Sequence, residues 1–340
     1  MKKMIKPFKI ALSLLFLVQA TGFAQDDKNN NNNDNNNDHK KKYAFVKTKS
    51  VNKSYNVSSS DKLHIVNSFG RVEVHTWDKN EIKVDVNIEV SANSEALAQK
   101  MIDRISVNEY KAGKEVAFET KMKDVNNTKD EKSSMSIDYS IYMPAGNPLH
   151  VENEFGATVI PDYRGEVELT SKFGSLTAGN LSNVKSITVE FGKTKIESVN
   201  NGNLVIKYSS STLGKLSGNI KINAEFSTNI IMNLDNSLTG LDVKASYSSL
   251  NLKPSADFSA SYTINTSFGS FKNRTTVKFD GDDEDKDDRS PKFDYKYSGR
   301  SGSGNIQIKV NTSFGNIILG EPGPNDMKDK NKAKNKSRTS

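Results

Sequence analysis

Cysteine is absent from the chain. That one absence removes lipid attachment at an N-terminal thiol, disulfide staples, thiolate metal sites and a cysteine nucleophile, so the fold must stand on packing alone. A membrane-spanning run is missing as well. The apolar stretch at residues 10–18 is shorter than the ~20 residues a bilayer span needs, and no second run of that length follows. Lys2, Lys3, Lys6 and Lys9 precede that stretch, and Gly22-Phe23-Ala24 stands before Gln25. Together they predict a cleaved secretory signal peptide over residues 1–24, hence export to the periplasm, the outer surface or the medium, with no integral span after cleavage.

A basic stripe is lacking too. Of the formal charge of +7, the four lysines of the leader leave +3, and the tail at 321–340, with six basic and three acidic residues, accounts for that remainder. A nearly neutral body argues against nucleic acid as a partner. Residues 25–42 form an asparagine-dominated tract with balanced charges, which predicts a disordered spacer, and the tail at 321–340 is expected to be disordered for the same reason.

What the chain does have is a repeat. An aromatic followed by Gly or Ser recurs nine times, at Phe69, Phe155, Phe173, Phe191, Tyr208, Phe226, Tyr247, Phe268 and Phe314. From Phe155 to Phe268 the spacings are 18, 18, 17, 18, 21 and 21, and a fixed period of this size means stacked units. The position four before the aromatic is aliphatic in every copy: Ile65, Val151, Leu169, Ile187, Leu204, Ile222, Val243, Ile264 and Val310. Two residues further back the side chain is apolar except at Lys185 and Gly202, and five after the aromatic it is apolar except at Asn273, with Ile231 among the members.

A spacing of two before the aromatic is the period of a strand. The change of parity after it demands a corner, which the following Gly or Ser is expected to supply because glycine tolerates positive φ. About 18 residues are too few for a propeller blade of ~40 residues, and no helical segment is present for a leucine-rich or ankyrin unit. The expectation is an all-β fold, a parallel β-solenoid (β-helix) with rungs of about 18–21 residues stacked ~4.8 Å apart, an internal aromatic ladder and a flanking aliphatic column. The alternative, a meander of antiparallel hairpins, gives no reason for the same aromatic in the same phase of every unit.

Residues 43–148 read as a first rung plus an N-terminal cap containing one short helix over 94–105, with strands at Ile82 to Val90 and at Ile137 to Met143 on either side. Such a cap would cover an open sheet edge. Residues 149–320 carry the remaining rungs, interrupted by an acidic insertion at 274–303. The carboxylates at 280–288 lack the ligand spacing of a calcium-binding EF-hand loop, and a solvated acidic loop is the plainer reading.

No catalytic, cofactor-binding or metal residue stands out. The histidines are His39, His64, His75 and His150. His64 and His150 share the position five before the aromatic, so adjacent rungs would bring them together, but a metal needs a third ligand. The outward position two after the aromatic is mostly small and polar, unlike the acid and base clusters of polysaccharide-cleaving solenoids. No phosphate loop or nucleophile elbow is present. The outward columns of Ser, Thr, Asn and Lys make a flat polar wall suited to a surface glycan or an envelope protein.

The phrase Leu63-His64-Ile65-Val66-Asn67-Ser68-Phe69-Gly70-Arg71-Val72-Glu73-Val74, the helix near Ser94, Tyr142-Met143-Pro144-Ala145-Gly146 and the aromatic-Gly rungs resemble the adhesin-type β-solenoid domains of bacterial envelope proteins. Those domains are common in Bacteroidetes-like genomes and are largely of unknown function. The resemblance covers about 57–319 and implies an extracytoplasmic, non-enzymatic, adhesin-like binding or structural role. A β-helical carbohydrate-active enzyme, lyase or hydrolase, is the first alternative, and an envelope-stress accessory protein the second. The chain departs from the family pattern in its acidic insertion and in placing Ser for Gly after three central aromatics.

Overall fold

The computed structural model describes residues 43–123, 131–281 and 293–323. The expected signal peptide, the spacer, residues 282–288 of the acidic run and residues 324–340 of the tail lie outside them. Within the described residues the chain is all-β with one helix, Glu95–Ile102. Ser94 caps that helix through its Oγ, which accepts from the Leu97 N–H, and Glu95 and Lys100 sit at the ends where the helix dipole favours their charges. The helix is shorter than its periodicity suggests: Leu97 and Met101 are buried on one face, whereas Ile105 is buried as the first residue of the next strand, Ile105–Ala112. Among the described residues no helix is long and apolar enough to cross a membrane.

Seven strands pair in parallel in succession: Lys62–Ser68, Leu149–Glu154, Tyr163–Lys172, Ser175–Glu190, Lys193–Lys207, Ser210–Glu225 and Thr228–Ser246. Their register lays the aliphatics over one another, Ile65 opposite Val151, Val151 opposite Leu169, and so on through Ile187, Leu204, Ile222 and Val243. None of these side chains is more than 2 % exposed. Burying each one stabilises the fold by about 1.5–3 kcal/mol, and the column is one continuous wall of the core.

The breaks in the apolar pattern have local causes. A register shift after Val167 brings Val184 into the second column, and Lys185 turns to solvent, where it pairs with Glu168 at 2.8 Å. At Gly202, whose φ is +110°, an added Cβ would lie 2.7 Å from a Val184 methyl. Val184 fills the space that the glycine leaves. A second shift, at Asn229 with φ +52°, corrects the sequence reading of Ile231: Met232 lies opposite Leu213 and is buried, while Ile231 faces outward.

The chain also doubles back. Ser249–Pro254 pairs in parallel with the first part of Thr228–Ser246, but the neighbour of its second part, from Gly240 to Ser246, is not the next copy of the repeat, Ala260–Ser267, but Ile306–Ser313, which lies between the two and pairs in parallel with both. The sheet is mixed rather than wholly parallel. Antiparallel ladders join Glu81–Ala92 to Phe45–Asn56 and to Ser133–Pro144, Ile105–Ala112 to Glu115–Met122, and Asp294–Arg300 to Ala260–Ser267 and to Phe279–Gly281.

The corner after each strand differs from expectation in two respects. The residue with positive φ is the aromatic itself, at 49–67° in all nine copies, not the Gly or Ser that follows. The small residue is needed for a different reason, close backbone approach: a Cβ at Gly156 would sit 1.7 Å from the Gly70 carbonyl oxygen, and one at Gly174 would sit 1.9 Å from that of Gly156. Where serine replaces glycine, its hydroxyl bridges the rows instead. Ser209 Oγ accepts from the Gly192 N–H and donates to the Lys207 carbonyl; Ser227 Oγ accepts from the Ser209 N–H and donates to that of Glu225. The aromatics also lie outside the core, as described next.

Candidate functional site: an exposed aromatic ladder, an amide-lined groove and a histidine pair

A turn forces the aromatic side chain outward, and the parallel register then stacks one ring upon the next. Ten rings form an unbroken series, in the order Phe69, Phe155, Phe173, Phe191, Tyr208, Phe226, Tyr247, Phe314, Phe268 and Phe293. Centroids are 4.6–5.1 Å apart and ring planes diverge by 2–17°. All but Phe69 are 40–53 % exposed, which corrects the expectation of an internal ladder. Phe293, which carries no following Gly or Ser, joins because the strand it precedes runs antiparallel to Ala260–Ser267.

The choice of an aromatic here is not explained by the backbone. A left-handed conformation costs a non-glycine residue roughly 1–2 kcal/mol, while a stacked aromatic pair contributes about 0.5–1.5 kcal/mol. The two nearly cancel. Gly or Asn would make the same turn without the strain, so an aromatic at every corner, half in water, is a strained and exposed feature of the kind that accompanies function. Stacking leaves ring edges, which are the positive rim of the π-system, facing solvent along the row.

Immediately before the rings the outward side chains alternate in sign, Glu154, Lys172, Glu190, Lys207 and Glu225. Lys172 and Glu190 lie 3.4 Å apart, and Lys207 and Glu225 lie 3.3 Å apart. Pairs this exposed add little stability, but a slip by one row would set like charges together. Beyond Glu225 the same position becomes serine, at Ser246, Ser313 and Ser267. Beside these serines opens a groove of about 660 Å³ lined by Asn223, Glu225, Lys244, Asn265, Asn311, Asp294, Tyr295 and Lys296. Asn265 Nδ2 donates to Asn311 Oδ1 at 2.8 Å.

At the opposite end, register places His64 directly across from His150. Their rings stack with centroids 4.2 Å apart and planes at 1°. Glu152, two residues beyond His150 and so on the same face, brings Oε1 to 3.5 Å from His64 Nε2 and 3.4 Å from His150 Nε2. On the other side, Glu115 Oε1 lies 3.8 Å from His64 Nδ1. Among the described residues these three, His64, His150 and Glu152, are the group whose donor atoms converge as metal ligands do, all within 4.8 Å of one another. The third ligand missing from the sequence reading is therefore present in space; its signal was the His-x-Glu spacing at 150–152. His75 instead stacks on Tyr142 at 4.8 Å, and His39 lies outside the described residues.

Burial, then the neighbouring His64, lowers the His150 pKa from 6.5, and the polar contact with His64 holds the Glu152 carboxyl below its ordinary value. Both depressions act in one direction. The stability linked to neutral His150 is fully present above pH 6.5 and is lost as pH falls through its lowered value; that linked to ionised Glu152 follows at lower pH. Urea unfolding with chelator present should therefore show stability falling below pH 6.5, with a smaller fall in His150→Gln. An identical pH profile in the variant would contradict the assignment.

No protein-family model matches the chain, and no curated protein does. Among solved structures it is similar to a putative adhesin from Bacteroides fragilis, at 13 % identity over 80 % of this chain and 97 % of that one, with a TM-score of 0.40. It is similar to a putative cell adhesion protein from Clostridium sporogenes at 12 % identity over 81 % of this chain and 100 % of that one, TM-score 0.25. A putative lipid binding protein from Parabacteroides distasonis follows at 9 % identity, 80 % and 97 % coverage, and a TM-score of 0.34.

Proposed function

We propose that the chain is an exported, adhesin-like binding protein of the cell envelope, non-enzymatic, built as a β-solenoid with a capped N-terminal end, and that it holds surface glycan along its aromatic ladder and the adjoining groove. The observation that carries this reading is the ten-ring row, with every ring but Phe69 exposed and every ring but Phe293 held at a backbone conformation that does not favour aromatics. Glycan suits both parts of the surface. Oxygen-rich chains meet the positive ring edges along the row, and the groove offers amides, two lysines and two carboxylates for hydroxyl recognition.

The test is retention on a panel of immobilised acidic and neutral polysaccharides, with the eluate assayed for new reducing ends or unsaturated products. Retention without cleavage is the expected result; cleavage products would establish the carbohydrate-active enzyme instead. Phe191→Asn separates function from fold. Stability should stay within about 2 kcal/mol of wild type, since strain relief offsets much of the stacking lost on Phe173 and Tyr208, while retention on the best polysaccharide drops at least threefold. Retention unchanged in Phe191→Asn, and in Phe173→Asn, would remove the ladder as the binding surface.

A further inference from the structure

We propose that His64, His150 and Glu152 form a three-ligand site for a divalent transition-metal ion of the zinc class. Three observations support it, none of which depends on the glycan reading. First, both distances to the carboxylate fit: ligand bonds of about 2.0–2.2 Å in a tetrahedron require donor separations of about 3.3–3.5 Å, Glu152 Oε1 stands 3.5 and 3.4 Å from the two Nε2 atoms, and the three donors lie within 4.8 Å of one another. Second, at such lengths these contacts are too long for good hydrogen bonds, and His64 Nε2 is shielded from water with no hydrogen-bond partner. A buried nitrogen left in that condition is costly unless something else meets it. Third, an outer-shell carboxylate is at hand, because Glu115 Oε1 stands 3.8 Å from His64 Nδ1, the nitrogen opposite the one that would bind, and a shift of less than about 1 Å would bring it to hydrogen-bond length. A carboxylate behind a ligating imidazole fixes its tautomer and raises its basicity.

Two imidazoles and a carboxylate are donors for zinc, copper or nickel rather than for calcium or magnesium, which prefer oxygen alone. Parallel rings direct their lone pairs side by side, so binding requires each ring to tilt toward the ion. Three donors leave a coordination position for water or a ligand from solution. The ion would join strands 86 residues apart in sequence, between Lys62–Ser68 and Leu149–Glu154.

The experiment uses the full chain, stripped with chelator and titrated with Zn²⁺ by calorimetry, and with Co²⁺ by visible absorption. One ion per chain is expected, with the intense visible bands of four-coordinate cobalt. Glu152→Gln should weaken zinc binding at least tenfold, Glu115→Gln by roughly tenfold through the outer shell, and His64→Gln/His150→Gln should abolish it; His39→Gln should change nothing. Zinc should also raise the melting temperature of wild type but not of Glu152→Gln, which alters a partly exposed side chain and keeps the test valid if the double histidine variant fails to fold. Absence of binding in wild type, or binding unchanged in Glu152→Gln, would overturn the proposal.

Discussion

Leu204→Asp is expected to lose about 4 kcal/mol or more of folding stability, which for a protein of ordinary stability is most of the total. Leu204 is 2 % exposed and lies between Ile187 and Ile222 in the aliphatic column. No cation is within the column to pair with a carboxylate. An aspartate there must either protonate or drag water into the core, and both are costly. Leu204→Met, which keeps the volume, should cost less than about 1.5 kcal/mol. Urea denaturation followed by circular dichroism measures both, and equal midpoints for the two variants would mean that the column is not the core.

Gly156→Ala should be nearly as damaging, at about 3 kcal/mol, although it adds a single methyl group. The conflict is with backbone rather than with a movable side chain: the Cβ would lie 1.7 Å from the Gly70 oxygen and 2.5 Å from its carbonyl carbon. Relief requires the two rows to separate, which breaks the register of the hydrogen bonds on either side. Gly146→Ala is the control, because nothing lies within 4 Å of the added atom; it should remain within about 0.5 kcal/mol of wild type. Equal stabilities would show that the rows do not approach as closely as described.

These two cases also mark how far the sequence could be read. Leu204 was legible as core, because a period of two repeated in nine copies leaves an alternating strand no other face to bury. Gly156 was legible as special but for the wrong reason. Positive φ is the usual justification for a turn glycine, and nothing in a sequence distinguishes it from the need to let another backbone pass close by. The aromatics were misplaced because parity says nothing at a corner, where a side chain belongs to neither face. Ile231 was assigned inward for want of any visible sign of the bulge at Asn229. Of the candidate sites, the pairing of His64 with His150 followed from their shared phase, whereas Glu152 was overlooked although it stands on the same face as His150, and Phe293 could not have been found because it enters through an antiparallel strand outside the repeat.

Ile306–Ser313 is clasped on both flanks, by Thr228–Ser246 and by Ala260–Ser267, and this governs the order of assembly. A chain that emerges from its N-terminus completes its early rows as they appear, each upon the last. Residues 240–246 and 260–267 then have to wait with open edges until some forty further residues arrive, since the strand that joins them is made after both. The last stretch of synthesis therefore leaves two unpaired backbone edges facing one another, and the arrival of one short strand closes them both at once.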